Sequence, residues 1–100
     1  MSIRKKTIAN RAKILYLAHY LGIKSLAQLS RIMGYVSIGG LLSTHQSLFD
    51  DGLMSRERYG HGTVRVTKKG LRELRHWGFV IYNNGNIEPV RIDKHFQPVL

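Results

Sequence analysis

At Gly52 the spacing of the apolar residues changes, and that change limits the chain to a mixed helix and strand fold. Before it, apolar side chains return at steps of three and four; after it they alternate, the two periods of helix and strand. The helical half is cut into three by glycines. Thr7 caps a first helix to about Leu21, with Ile8, Ala12, Leu15, Ala18 and Leu21 as its buried stripe and Gly22 as its stop. Ser25 opens a second helix by a capping box with Gln28, burying Leu26, Leu29, Ile32 and Met33 and ending at Gly34. Ser37 caps a third through about Asp51, with Ile38, Leu41, Leu42, Leu48 and Phe49 inward and Gly52 closing it. The short connection between the second and third helices predicts a helix-turn-helix pair held at a steep angle.

Beyond Gly52, residues 53–58 and Thr63 to Val66 read as two strands joined by Tyr59-Gly60-His61-Gly62, a turn whose glycines permit positive backbone angles. Thr67 caps a fourth helix carrying Leu71, Leu74 and, at its end, Trp77 at steps of three. A second hairpin follows, from Phe79 to Tyr82, through Asn83-Asn84-Gly85-Asn86, to Ile87 and Ile92, where Pro89 restricts its strand to an edge. Residues 93–100 show no clear pattern. The expected organisation is a basic arm over 1–6, a domain over 7–76, and a hairpin and tail over 77–100 that pack on the domain or serve dimerisation.

Charge supplies the functional signal. The chain of 100 residues holds 16 Lys and Arg against 6 Asp and Glu, a net charge of +10. Its 43% hydrophobic content separates it from a disordered basic tail. Residues 1–34 contain seven cations (Arg4, Lys5, Lys6, Arg11, Lys13, Lys24, Arg31) and no acid, whereas 35–52 contain only Asp50 and Asp51. Between 53 and 76, Arg56, Arg58, Arg65, Lys68, Lys69, Arg72 and Arg75 outnumber Glu57 and Glu73, and 77–100 is balanced. Two cationic blocks around a nearly neutral segment predict a polyanionic partner.

Other classes find less support. The absence of cysteine excludes disulfides, thiol nucleophiles and cysteine-ligated metals. The five histidines, His19, His45, His61, His76 and His95, form no local ligand motif, so no metal or cofactor is expected. No carboxylate pair, phosphate loop or nucleophile and base spacing suggests an enzyme; Asp50 and Asp51 read as solvated residues at a helix end. No run approaches the roughly 20 apolar residues of a membrane span, and no signal-peptide core is present, so a soluble cytoplasmic protein is expected.

The stretch from Leu26 to Leu74 resembles a winged helix-turn-helix domain of the bacterial or phage transcription-regulator type. The resemblance is carried by Leu26-Ala27-Gln28-Leu29, the turn Gly34-Tyr35-Val36-Ser37, the segment Leu48-Phe49-Asp50-Asp51-Gly52-Leu53-Met54, and Val66-Thr67-Lys68-Lys69-Gly70. It implies an α+β fold of three helices, a β-hairpin wing and a fourth helix, here with an extra C-terminal hairpin. It also implies double-stranded DNA as partner, with a recognition helix over 38–51 in the major groove.

On that helix Ser37, Gly39, Gly40, Ser43, Thr44, Gln46 and Ser47 would face DNA, with Gln46, Thr44 and Ser43 as base readers. Arg4, Lys5 and Lys6 on the arm would enter a minor groove or follow phosphates, Lys24, Ser25 and Gln28 at the second helix would anchor phosphates, and Arg56, Arg58, His61 and Arg65 on the wing would meet phosphates or the minor groove. Lys68, Lys69, Arg72 and Arg75 read equally as phosphate contacts or a solvated face. Three features depart from the family pattern. His45 stands at an aliphatic position, as a partly buried hydrogen-bonded residue or an exposed reader. Gly39 and Gly40 occupy the first turn of a helix without Lys or Arg, where they weaken the helix and let its backbone approach a phosphate. A hairpin replaces the usual long dimerisation helix. A homodimer through the first helix and that hairpin is expected, and the competing function is a protein-interaction module docking through 77–92.

Overall fold

The computed structural model describes residues 5–35, 38–57 and 64–91, and of residues 5–7 the backbone alone. Three helices, α1 (Lys5–Tyr20), α2 (Leu26–Ile32) and α3 (Gly39–Asp50), lead into a ribbon of β1 (Met54–Arg56) and β2 (Val64–Val66). Then come α4 (Lys68–Leu74), β3 (Trp77–Ile81) and β4 (Ile87–Arg91). The fold is α+β, and the described residues form two separate two-stranded antiparallel sheets. None of the described helices is long and apolar enough to cross a membrane.

The element order is the expected one, while several boundaries and faces differ. Helix α1 begins at Lys5, so Lys5 and Lys6 belong to it and not to a free arm. Its buried surface is wider than one stripe: Ile14 and Leu17 are fully buried beside Ala12, Leu15 and Ala18. The cause is that α1 is covered from several sides, by α3, α4, β2 and β4. Leu21 lies beyond the helix end and is exposed. Trp77 opens β3 instead of extending α4, and its Nε1 donates to Glu73 Oε1 at 3.3 Å. Residues 58–63 of the first hairpin, and Ile92 with the tail beyond it, lie outside the described residues.

Glycine places two helix ends. At Gly52 (φ 74°) the Leu53 N–H returns to the Leu48 carbonyl at 2.8 Å and the Gly52 N–H to Phe49 at 3.1 Å. The same pair of bonds closes α2 at Gly34, from Tyr35 to Ser30 and from Gly34 to Arg31. This Schellman arrangement satisfies end carbonyls and requires a residue in the left-handed region. It also turns Leu53 into the core beside Leu48.

The junction between β2 and α4 has a different glycine requirement. Thr67 Oγ1 accepts the Gly70 N–H at 3.1 Å and donates to the Gly52 carbonyl at 2.6 Å, while the Thr67 N–H donates to the Leu53 carbonyl. These bonds clamp the first turn of α4 onto the chain leaving α3. The clamp leaves no room at position 70, where a Cβ would overlap the Leu53 carbonyl oxygen and stand 2.7 Å from Val66 Cγ1.

The C-terminal hairpin packs back on α1. Phe79 stacks on Tyr16 with ring centroids 4.3 Å apart, and Ile87 enters the core. Its turn is closed by Tyr82 N–H to the Asn86 carbonyl and Gly85 N–H to the Tyr82 carbonyl, both 2.9 Å. Pro89 pairs with Phe79 in a sheet whose two strands are both edges, the placement expected for a residue without an N–H.

Candidate nucleic-acid interface

Helix α3 buries Leu41, His45 and Leu48, and this apolar side defines its free one. Gly39, Gly40, Leu42, Ser43, Gln46 and Asp50 are exposed, with Thr44 and Ser47 half-buried. The exposed residues 39, 42, 43, 46 and 50 recur at helical steps along one face. Ser43 is an open hydroxyl there. Gln46 donates from Nε2 to Asp50 Oδ1 at 3.1 Å, which engages one of its two amide hydrogens. Ser47 Oγ is turned inward onto the Thr44 carbonyl at 2.7 Å. Of the expected face, Ser43 and Gln46 are therefore better placed than Thr44 and Ser47. Ser37 lies outside the described residues.

Two expectations for this helix are corrected. Ile38 and Leu42, read as core residues, are 45% and 51% exposed. The buried arc is centred on Leu41, His45 and Leu48, and these two residues fall outside it. The second correction concerns Gly40. A Cβ there would lie 2.8 Å from Tyr35 Cδ1, and the Tyr35 hydroxyl accepts from Asn10 Nδ2 at 2.9 Å. The absent side chain thus makes room for a ring that ties the α2–α3 turn to α1, which explains this glycine without a phosphate.

His45 is buried in α3 and is not an exposed reader, and its Nε2 has no hydrogen-bond partner among the described residues. Its ring meets the Phe49 ring at 5.2 Å, edge to face. The Arg56 guanidinium stands over Phe49, 4.3 Å from the ring centroid. Burial, and after it the Arg56 charge, hold the imidazole below its ordinary pKa, so the native side chain is neutral. The unfolded chain takes up the proton first. The resulting stability is complete above about pH 6.5 and is lost as pH falls through the folded value. The denaturation midpoint is expected to fall between pH 7.5 and 5.5, and His45→Met to remove part of that fall. An unchanged pH response in the variant contradicts this assignment.

The ribbon splits its cations between its two faces. Arg56 pairs with Val64 on the side that carries Met54 and Val66, and reaches toward α3; Arg65 pairs with Ser55 on the opposite, solvent side. Arg58 and His61 lie outside the described residues, as does Arg4. At α2, Ser25 Oγ accepts the Gln28 N–H at 3.3 Å, the serine half of the expected capping box, with Lys24 half-buried beside it and Gln28 exposed.

Some charges are spent within the fold. Arg11, with only 11% of its side chain exposed, binds Asp51 at 2.9 Å, so Asp51 is not simply solvated. Arg91 binds Glu73 at 3.0 Å, and Lys69 Nζ donates to the Asp51 carbonyl at 2.8 Å. Lys68, Arg72 and Arg75 are exposed and recur at steps of four and three, a cationic stripe along α4. Sequence reasoning missed the Arg11 ion pair and the Asn10–Tyr35 bond, because each joins residues far apart in the chain. No protein-family model, curated protein or solved structure matches this chain at a significant level.

Proposed function

We propose that this protein is a small winged helix-turn-helix regulator that binds double-stranded DNA, with α3 in the major groove and the β1–β2 ribbon acting as the wing. The observation that best supports the reading is the stack of Arg56 on Phe49, which fixes an exposed guanidinium beside the α3 face. A planar cation held by an aromatic face is well suited to a phosphate. In this reading Arg65, Lys24, Arg4, Lys5 and Lys6 supply further phosphate contacts. Ser43 and Gln46 meet base edges, Gln46 with one amide hydrogen already engaged by Asp50. Base discrimination is modest because α3 carries no Lys or Arg.

A second observation favours protein contacts. Val80, Ile81 and Tyr82, at the end of β3 and the start of the turn, are exposed apolar residues, as are Tyr20 and Leu21 at the end of α1. They suit a second copy of the chain in a homodimer reading two half-sites, or docking on another protein. A mobility shift against random duplex and random single strand separates the readings. Duplex-preferring retention at moderate salt supports the regulator; no retention on either leaves the docking module.

A further inference from the structure

We propose that Ile38 and Leu42 read thymine methyl groups, so that the preferred sites carry thymine beneath the first turns of α3. This rests on the duplex-binding reading above. The two side chains are four residues apart and therefore neighbours on the helix surface. Both are about half exposed at the start of α3, although an isoleucine and a leucine on a short helix would ordinarily join its core. Ser43 is exposed immediately beside Leu42, and Gln46 stands one turn further along the same face.

The size and setting of the pair select the occupant. Two aliphatic side chains offer far less surface than the ~800 Å² per partner of a stable protein interface. They match the one apolar group that a base pair presents in the major groove, the C5 methyl of thymine. The charge balance favours the same occupant: α3 has no cation, and the two cationic blocks of the chain, residues 1–34 and 53–76, flank it. Phosphate attraction would bring the duplex to this face, and the apolar pair would then distinguish thymine from cytosine at the contacted positions. Gln46, exposed on the same side of the helix, offers its carbonyl oxygen and remaining amide hydrogen to the same edge. The preference is thus for a base with a methyl, in a helix that lacks the usual arginine for guanine.

Replacing thymine by uracil removes the methyl and leaves every hydrogen-bonding edge in place. The probes are duplexes of alternating dA-dT and of alternating dA-dU of equal length, titrated with wild type and with the Ile38→Ala/Leu42→Ala variant. Circular dichroism verifies that the variant is folded. Wild type is expected to bind the thymine duplex roughly tenfold more tightly, the effect of burying about two methyl groups. The variant is expected to bind both duplexes equally, near the wild-type affinity for the uracil duplex. Equal wild-type affinity for the two duplexes overturns methyl readout while leaving duplex binding intact. Absence of binding to either overturns the duplex-binding reading and the proposal with it.

Discussion

Gly70→Ala is expected to lower the melting temperature by about 10 °C, although alanine is the better helix former by roughly 1 kcal/mol. The sign is set by the Leu53 carbonyl. A Cβ at position 70 would overlap that oxygen, which is already held by the Thr67 N–H, and would crowd Val66 at 2.7 Å. Neither neighbour is the free end of a flexible side chain. Relief requires α4 to lift from the chain leaving α3, opening the cap at Thr67 and its bond to the Gly52 carbonyl. Overpacking of this kind costs up to about 3 kcal/mol, so a net loss of about 2 kcal/mol remains after the propensity gain. Thermal unfolding followed by circular dichroism measures it. A melting temperature at or above that of wild type would show that the helix moves away at little cost, contradicting the tight junction.

The second large effect concerns binding. Arg56→Ala/Arg65→Ala is expected to weaken duplex affinity about 60-fold at 0.1 M salt and to flatten the salt dependence by about 1.8 in slope. Both figures follow from roughly 0.9 log units per phosphate contact relative to 1 M salt. The two arginines occupy opposite faces of the ribbon, and only Arg56 is stacked on α3. The single variants therefore carry separate information: Arg56→Ala also frees Phe49, whereas Arg65→Ala removes charge from the solvent side alone. Fluorescence anisotropy with a random duplex measures the effect. Full affinity in the double variant removes the ribbon from the interface.

These two results depend on features of different legibility. The Thr67-Lys68-Lys69-Gly70 opening of α4 and the glycine closures at Gly34 and Gly52 are local, so residue type and spacing predict them. The period change at Gly52 separates helices from ribbon for the same reason. The width of the buried face on α1 is set by α3, α4, β2 and β4, which pack on it from later parts of the chain, and a single stripe from Ile8 to Leu21 cannot anticipate Ile14 and Leu17. On α3, counting apolar residues assigns Ile38 and Leu42 to the core, but the actual centre of burial includes His45, which stands four after Leu41 and three before Leu48. A polar side chain in that place is invisible to an apolar count.

The candidate site divides along the same line. The open positions of Ser43 and Gln46 follow from helical spacing. The stack of Arg56 on Phe49 depends on the Gly52 turn bringing β1 back beside the end of α3, and the pairing of Arg11 with Asp51 depends on α1 crossing α3. Both change what the net charge means. Arg11, Arg91 and Lys69 are engaged within the fold, whereas Arg56 is held in place with its guanidinium still exposed.

The most direct test of duplex binding through this cationic surface is the affinity of the full chain for a random duplex, titrated across 50 to 300 mM monovalent salt. With about six cations on phosphates, log affinity is predicted to fall against log salt with a slope of roughly −5. A slope near zero, or no binding at the lowest salt, would contradict the account.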